Sequence, residues 1–241
     1  MINLKDFCYH IHHINNNNIK RDFLFNRMNN ILFSHMDQIE SETILINSKE
    51  DFNIFKDNNN FNVVSNLKYG EIGLWASNYK LFKKFLESNY KYLIIFEDDI
   101  YLHDNFLELI KLYFPLLPKG WGCFSLFQPE ISWENIPFEN YKLKNIEWSK
   151  DFIWKSYQTW STGGLLLNRS SVFDIVNYIE AHGIDLPIDL FLFKEINEVP
   201  IPGGGNKIFE CYSISRMAQH MSSLMHLNST IQDTELLTGL N

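Results

Sequence analysis

The chain has 241 residues, 45% of them hydrophobic, with 29 acidic against 21 basic residues and a net charge of −8. That apolar content supports a substantial core and excludes a wholly disordered chain, while an acidic balance without a Lys/Arg cluster excludes a nucleic-acid backbone as the main partner. Cys8, Cys123 and Cys211 are odd in number, far apart and without a C-x-x-C pair, so neither a disulfide framework nor a zinc site is expected and a reducing compartment fits best.

No basic and apolar leader opens the sequence, and no apolar run reaches membrane-spanning length. The expectation is a soluble, cytoplasmic protein, compatible with peripheral attachment at the inner face of a membrane. Phe7 to Ile14 reads as a first strand, with His10, His12 and His13 as partly exposed strand residues rather than metal ligands. After a polar Asn15–Asn18 turn, Lys20 to Met36 is predicted as a helix. It carries Phe23, Met28, Ile31 and Leu32 toward a core, and Lys20, Arg21 and Arg27 on a solvated face that could also meet a nucleotide phosphate. Thr43–Ile46 and Phe61–Val64 read as short strands joined by an acidic, Asn-rich connection.

From Gly70 to Ser88, Ile72, Trp75, Tyr79, Phe82, Phe85 and Leu86 recur at steps of three and four, the period of an amphipathic helix on a sheet. The helix leads into Tyr92-Leu-Ile-Ile-Phe-Glu-Asp-Asp-Ile100. This short apolar run reads as a strand buried on both faces, as in a parallel sheet, and it ends in three carboxylates. Three acids at the mouth of a buried strand repel one another and lose hydration. They call for a positive partner, most simply a divalent metal with hard oxygen ligands. The bland alternative is an acidic strand end that caps the next helix or stands in solvent.

Asp104 to Tyr113 is the next predicted helix, closed by Pro115 and Pro118. Gly122 to Phe127 follows as a strand, and then a long irregular region through Lys155 holds Trp133, Trp148 and Trp154. These rings either face sugars or form a satellite core. Trp160 to Leu167 reads as a loop turning into a strand, where Gly163 and Gly164 allow close backbone approach to a ligand. Arg169 to Ala181 is a helix that Gly183 would end. Leu186 to Phe193 begins another, with Asp189 in its first turn after Pro187. Pro200 to Gly205 is a hinge-like loop, and Phe209 to Ile214 a last strand. The tail beyond, with Arg216, Gln219, His220, Ser222, Ser223 and His226, is polar and poorly periodic.

Gly70-Glu71-Ile72-Gly73 with Ser77, followed by the Glu97-Asp98-Asp99 strand end, resembles glycosyltransferase family 25 of lipopolysaccharide and lipooligosaccharide biosynthesis. That family typically shows G-E-I-G-C-x-x-S-H before L-E-D-D; here Leu74 stands for the Cys and Asn78 for the His. The Gly163-Gly164 strand, the Pro187-Ile188-Asp189 segment and the Gln219-His220 tail are similar in order and spacing to features of GT-A nucleotide-sugar transferases.

The resemblance implies an α/β fold of GT-A type, a Rossmann-like mixed and mainly parallel sheet flanked by helices. It implies one domain over residues 1–241, with a nucleotide-binding half (1–120) and an acceptor-binding half with the tail (121–241). The implied activity is transfer of a hexose from a UDP-sugar to a saccharide or glycolipid acceptor with inversion, aided by Mn2+ or Mg2+. In this assignment Asp99 is the metal ligand, joined by His220 with His226 as its competitor. Glu97, Asp98, Gly163, Gly164 and Glu71 bind the donor, Asp98 mainly by orienting its neighbours. Asp189 is the general base, with Asp185 and Glu210 as rivals. A metal-dependent phosphotransferase or hydrolase, and a non-catalytic carbohydrate-binding protein, are the competing classes; the first finds no Walker loop or phosphatase-like nucleophile in the chain.

Overall fold

A computed structural model describes residues 2–13, 19–102, 105–127, 145–147, 153–156, 162–192 and 210–220. In chain order these form β1 (Phe7–His12), α1 (Ile19–Leu32), β2 (Asp37–Gln38), α2 (Lys49–Asp57), α3 (Tyr69–Glu87), β3 (Tyr92–Glu97), β4 (Ile100–Leu102), α4 (Phe106–Tyr113) and β5 (Trp121–Phe127). There follow β6 (Asn145–Glu147), β7 (Ile153–Ser156), β8 (Gly164–Asn168), α5 (Arg169–His182), α6 (Ile188–Leu190) and β9 (Glu210–His220). Trp133, Trp148, the 200–205 loop, Ser222, Ser223 and His226 lie outside the described residues.

The strands make one mixed sheet in the order β2-β1-β3-β8-β5-β9-β7-β6, with β4 attached to β9. Its parallel part comprises β2, β1 and β3 together with the β5–β9 pair. β8 runs antiparallel between β3 and β5, and the β4–β9, β6–β7 and β7–β9 pairs are antiparallel as well. The expected α/β sheet flanked by helices is therefore present, with its parallel order concentrated at the N-terminal edge.

Side-chain alternation along the strands divides the core into two layers. On β3, Leu93 and Ile95 join Trp75, Phe82, Phe85, Ile175 and Ile179 of α3 and α5. Ile94 and Phe96 face the other way, onto Met28 and Leu32 of α1 and Phe106 and Ile110 of α4. A strand covered by helices on both faces needs no polar alternation, which is why its sequence is an unbroken apolar run. No described helix is long and apolar enough to cross a membrane.

Several expectations are corrected. The 43–46 segment forms no strand. Of 61–64 only Val63 makes an isolated bridge, to Ile184. The acidic connection between them contains α2, whose N-cap Ser48 accepts a hydrogen bond from Asp51 N–H and whose Phe52 and Phe55 are buried. A Ser followed three residues later by an acid is a helix-start signal that the Asn-rich surroundings obscured. The irregular region after β5 holds β6 and β7, which pair with each other and, through β7, with β9. Cys123 and Cys211, distant in sequence, meet at paired positions of β5 and β9 as free thiols.

Gly183 ends α5 at φ 76°, as its position predicts. Gly73 serves a different need. A Cβ there would stand 2.9 Å from the Ile44 carbonyl oxygen and 3.3 Å from Ile46 N, because the 44–46 segment crosses directly over α3. Gly73→Ala gains about 1 kcal/mol of helix propensity, but pushing a backbone segment aside costs about 1–3 kcal/mol. The expected outcome is a lower urea midpoint than wild type; a higher one would show that the segment yields freely.

Candidate functional site

β1 and β3 are parallel neighbours that end together, with His12 paired to Glu97. The residues that follow, His13 on one side and Asp98 and Asp99 on the other, leave the sheet at one edge. Asp98 is 2% and Asp99 4% exposed, so the charge demanded at this strand end cannot come from water. It comes from the first turn of α1. Arg21, itself buried, donates from Nη1 to Asp98 Oδ1, and its Nη2 lies 3.5 Å from Asp99 Oδ2. The second oxygen of Asp98 is 2.9 Å from His13 Nδ1, while His13 Nε2 faces Asp22 at 3.4 Å and the ring stacks on Phe25.

The solvated helix face expected for Arg21 is thus wrong: the guanidinium is the internal counter-ion of the acidic turn. Arg27 holds β4, the strand that follows the turn, donating to Tyr101 Oη at 3.1 Å and to the Leu102 carbonyl at 3.3 Å. Neither contact was legible in the sequence. The available signal was the physical demand itself, since acids crowded at the end of a buried strand, two of them buried here, require cations and Arg21 and Arg27 belong to the first predicted helix.

Glu97 Oε1 accepts a 2.6 Å hydrogen bond from Thr162 Oγ1, which ties the end of β3 to the residues entering β8. Gly163 and Gly164 are buried there. A Cβ on Gly164 would lie 3.3 Å from the Phe96 ring, so its bareness makes room for that aromatic side chain. Beyond Asp99, β4 pairs antiparallel with β9, placing Ile100 opposite His220. The tail is therefore a strand as far as His220, contrary to the poorly periodic segment expected, and it brings the His220 backbone beside the residue after Asp99. The His220 side chain lies outside the described residues.

Asp189 sits in the first turn of α6, which starts after Pro187 as expected and packs against α3. Its Oδ1 accepts from Leu190 N–H at 2.9 Å. Asp185 precedes it in a segment pinned by Ser65 Oγ on the Asp185 carbonyl and by Trp75 Nε1 on the Leu186 carbonyl at 2.7 Å. Asp185 Oδ1 is buried without a hydrogen-bond partner among the described residues. Glu210 opens β9 opposite Trp121.

As a cation site the cluster divides. Asp98 does not fit as a ligand, because Arg21 and His13 engage its two oxygens. Asp99 fits better, a buried acid at the turn with Glu97 before it and the tail strand alongside. Among the described residues no three His, Cys, Asp or Glu side chains form a group able to hold a metal ion.

Residues 1–192 match the model of glycosyltransferase family 25 (LPS biosynthesis protein). The chain belongs to this family. No curated protein matches it. A solved structure described as a "crystal structure of a glycosyltransferase involved in the glycosylation of the major capsid of PBCV-1" resembles it at a TM-score of 0.44 and 12% identity, over 89% of this chain and 93% of that one.

The residues of this family 25 chain that carry the G-E-I-G-x-x-x-S pattern have local structural work. Glu71 Oε2 accepts from Lys68 N–H at 2.7 Å and so caps α3. Gly73 admits the 44–46 segment, and Ser77 Oγ grips it by accepting from Ile44 N–H at 2.8 Å. Asn78, where the family pattern has His, closes a buried chain. His10 Nδ1 stands 2.8 Å from the Ile39 carbonyl, His10 Nε2 is 3.2 Å from His12 Nδ1, and His12 Nε2 is 3.2 Å from Asn78 Oδ1. The partly exposed histidines expected at 10 and 12 are therefore core residues, 3% and 7% exposed. Two neutral imidazoles carry only two protons for these three contacts. Burial withholds a third, pushing His10 down and His12 down to about 3.

A histidine held neutral in the folded chain and free to charge in the unfolded one stabilises fully above its ordinary value near 6.5. That stability is lost as pH falls from there toward 3. Each pH unit within the window removes about 1.4 kcal/mol per such group, or roughly 2 kcal/mol from His12 by pH 5. Urea unfolding at pH 7 and pH 5 should show this loss, and His12→Gln should flatten the difference. An equally steep loss in the variant would shift the cause to other groups.

Proposed function

We propose that this family 25 glycosyltransferase moves a hexose, such as galactose or glucose, from a UDP-sugar to a saccharide or glycolipid acceptor with inversion. The setting would be lipopolysaccharide, capsule or other glycan synthesis, on the cytoplasmic side of a membrane. The observation that carries this reading is the acidic carboxyl end of β3, where half-buried Glu97 is followed by buried Asp98 and Asp99, on the side of an open α/β sheet on which ligands bind.

A UDP leaving group develops charge on its diphosphate as the sugar bond breaks. Asp99 is the residue assigned to hold Mn2+ or Mg2+ for it, with Glu97 and His220 at the adjoining positions. When bound, such an ion supplies electrophilic help to that leaving group. Glu97, braced by Thr162, orients the donor's ribose. Asp189, on a separate element, takes the proton of the acceptor hydroxyl, because an acid occupied with the diphosphate cannot also serve the opposite face of the sugar.

Release of UDP from a panel of UDP-hexoses, with and without Mn2+, tests the donor class directly. Asp99→Asn keeps the shape and removes a charge, so Mn2+-dependent UDP affinity should fall while the chain stays folded; unchanged affinity would refute the site. Asp189→Asn should keep UDP binding and lose about a hundredfold to ten-thousandfold in turnover. Wild-type turnover in that variant would move the search for the base to Asp185.

A further inference from the structure

The helical layer opposite α1 carries a polar groove of about 850 Å3, within the size range of ligand sites. One wall is the later half of α3, with Lys80, Lys83 and Lys84. The others are the 40–42 segment, the Asn58–Asn60 run that follows α2, and Glu180 of α5. This part of α3 adjoins the 88–91 connection into β3, so the groove lies toward the amino end of that strand, whereas Asp98 and Asp99 follow its carboxyl end. It is therefore a separate place from the acids.

The walls are set in place by their own hydrogen bonds. The Tyr79 hydroxyl and Lys83 Nζ both donate to Glu180 Oε1, each at 2.8 Å, which leaves Oε2 without a partner among the described residues. Asn58 and Asn59 each give an amide N–H to a carbonyl of α2, at 2.8 and 2.7 Å, and keep their Oδ1 atoms as acceptors. Lys84 ties the 40–42 segment to α3 through the Glu40 carbonyl. Lys80 is half-buried, its ammonium 5.9 Å from the Phe55 ring, with no acid paired to it among the described residues.

The balance of charge decides the ligand. The three lysines stand against Glu40, Glu42, Glu87 and Glu180, so a polyanion and a polycation each meet as much repulsion as attraction. A neutral polyhydroxylated molecule meets neither. Each of its hydroxyls both donates and accepts, and the groove offers ammonium donors, carboxylate acceptors and amides that do both. We propose that the groove binds a neutral hexose oligosaccharide, away from the point of transfer, through Lys80, Glu180 and the Asn58–Asn60 amides. For a glycosyltransferase, a second grip on a long acceptor raises its effective concentration at the first. The proposal stands independently of the donor sugar and of the metal.

The experiment titrates the full isotope-labelled chain, without UDP or metal, by NMR. The probes are lactose, maltotriose and cellotriose, with trigalacturonate as the acidic control. At least one neutral sugar should give shifts on residues 58–60 and 79–87 that saturate at about 1–10 mM. The double variant Lys80→Ala with Asn60→Ala removes two groups that make no hydrogen bond within the fold among the described residues, so its urea midpoint should stay at the wild-type value. Its affinity for the same sugar should fall about tenfold. Absence of saturable shifts there with all three neutral sugars overturns the proposal, as does unchanged affinity in the double variant. Tighter binding of trigalacturonate than of every neutral sugar overturns the ligand class. The same titration on Asp99→Asn keeps the two sites apart: unchanged groove shifts uphold the proposal whatever becomes of UDP binding, and their loss places the sugar at the transfer site and overturns it.

Discussion

The edge of the sheet depends on one buried electrostatic arrangement, the Arg21 guanidinium set against Asp98 and Asp99 with His13 behind it. Two acids this deeply buried are tolerable only with a cation at hydrogen-bonding distance, and breaking such a group by removing one member costs about 3–5 kcal/mol. The arrangement therefore constrains everything it touches. α1 must lie across the end of β3, the turn between β3 and β4 must keep its shape, and the end of β1 must bring His13 alongside.

Around that point the fold supplies rigidity from two sides. The alternating faces of β3 bury into separate layers, so the strand cannot slip by one residue without turning every apolar side chain to the wrong layer. Below the acids, Thr162 joins β3 to β8, and beyond them β4 pairs with the tail strand β9. A site whose residues come from strand ends and a helix start is held more closely than one built on loops.

The pattern by which the chain resembles its family also acquires a physical meaning. Glu71, Gly73 and Ser77 cap α3, clear a path over it and hold the segment that takes the path. Asn78 instead closes the His10–His12 chain, a neutral polar string inside the core. Through that chain Asn78 holds His12, the residue paired with Glu97 across β1 and β3. A motif found with a functional site can thus owe its residue types to the packing that positions the site.

The sequence by itself determined what local periodicity and composition can carry. The apolar run of β3, the three-and-four spacing of α3, the stop at Gly183, the helix start after Pro187 and the acids at a strand end were all legible, because each depends on residues near one another in the chain. So was the need for positive charge at Glu97–Asp99, since the cost of burying acids is independent of topology. Which cation answers it was decided only in the tertiary structure. Arg21 lies 77 residues from Asp98 and looks like any helix-surface cation until the β1–β3 pairing carries α1 over the strand end. For the same reason the burial of His10 and His12, the β4–β9 pairing and the meeting of Cys123 with Cys211 left no local trace. Each exists only because the sheet order makes neighbours of distant segments, and periodicity along the chain holds no record of that order.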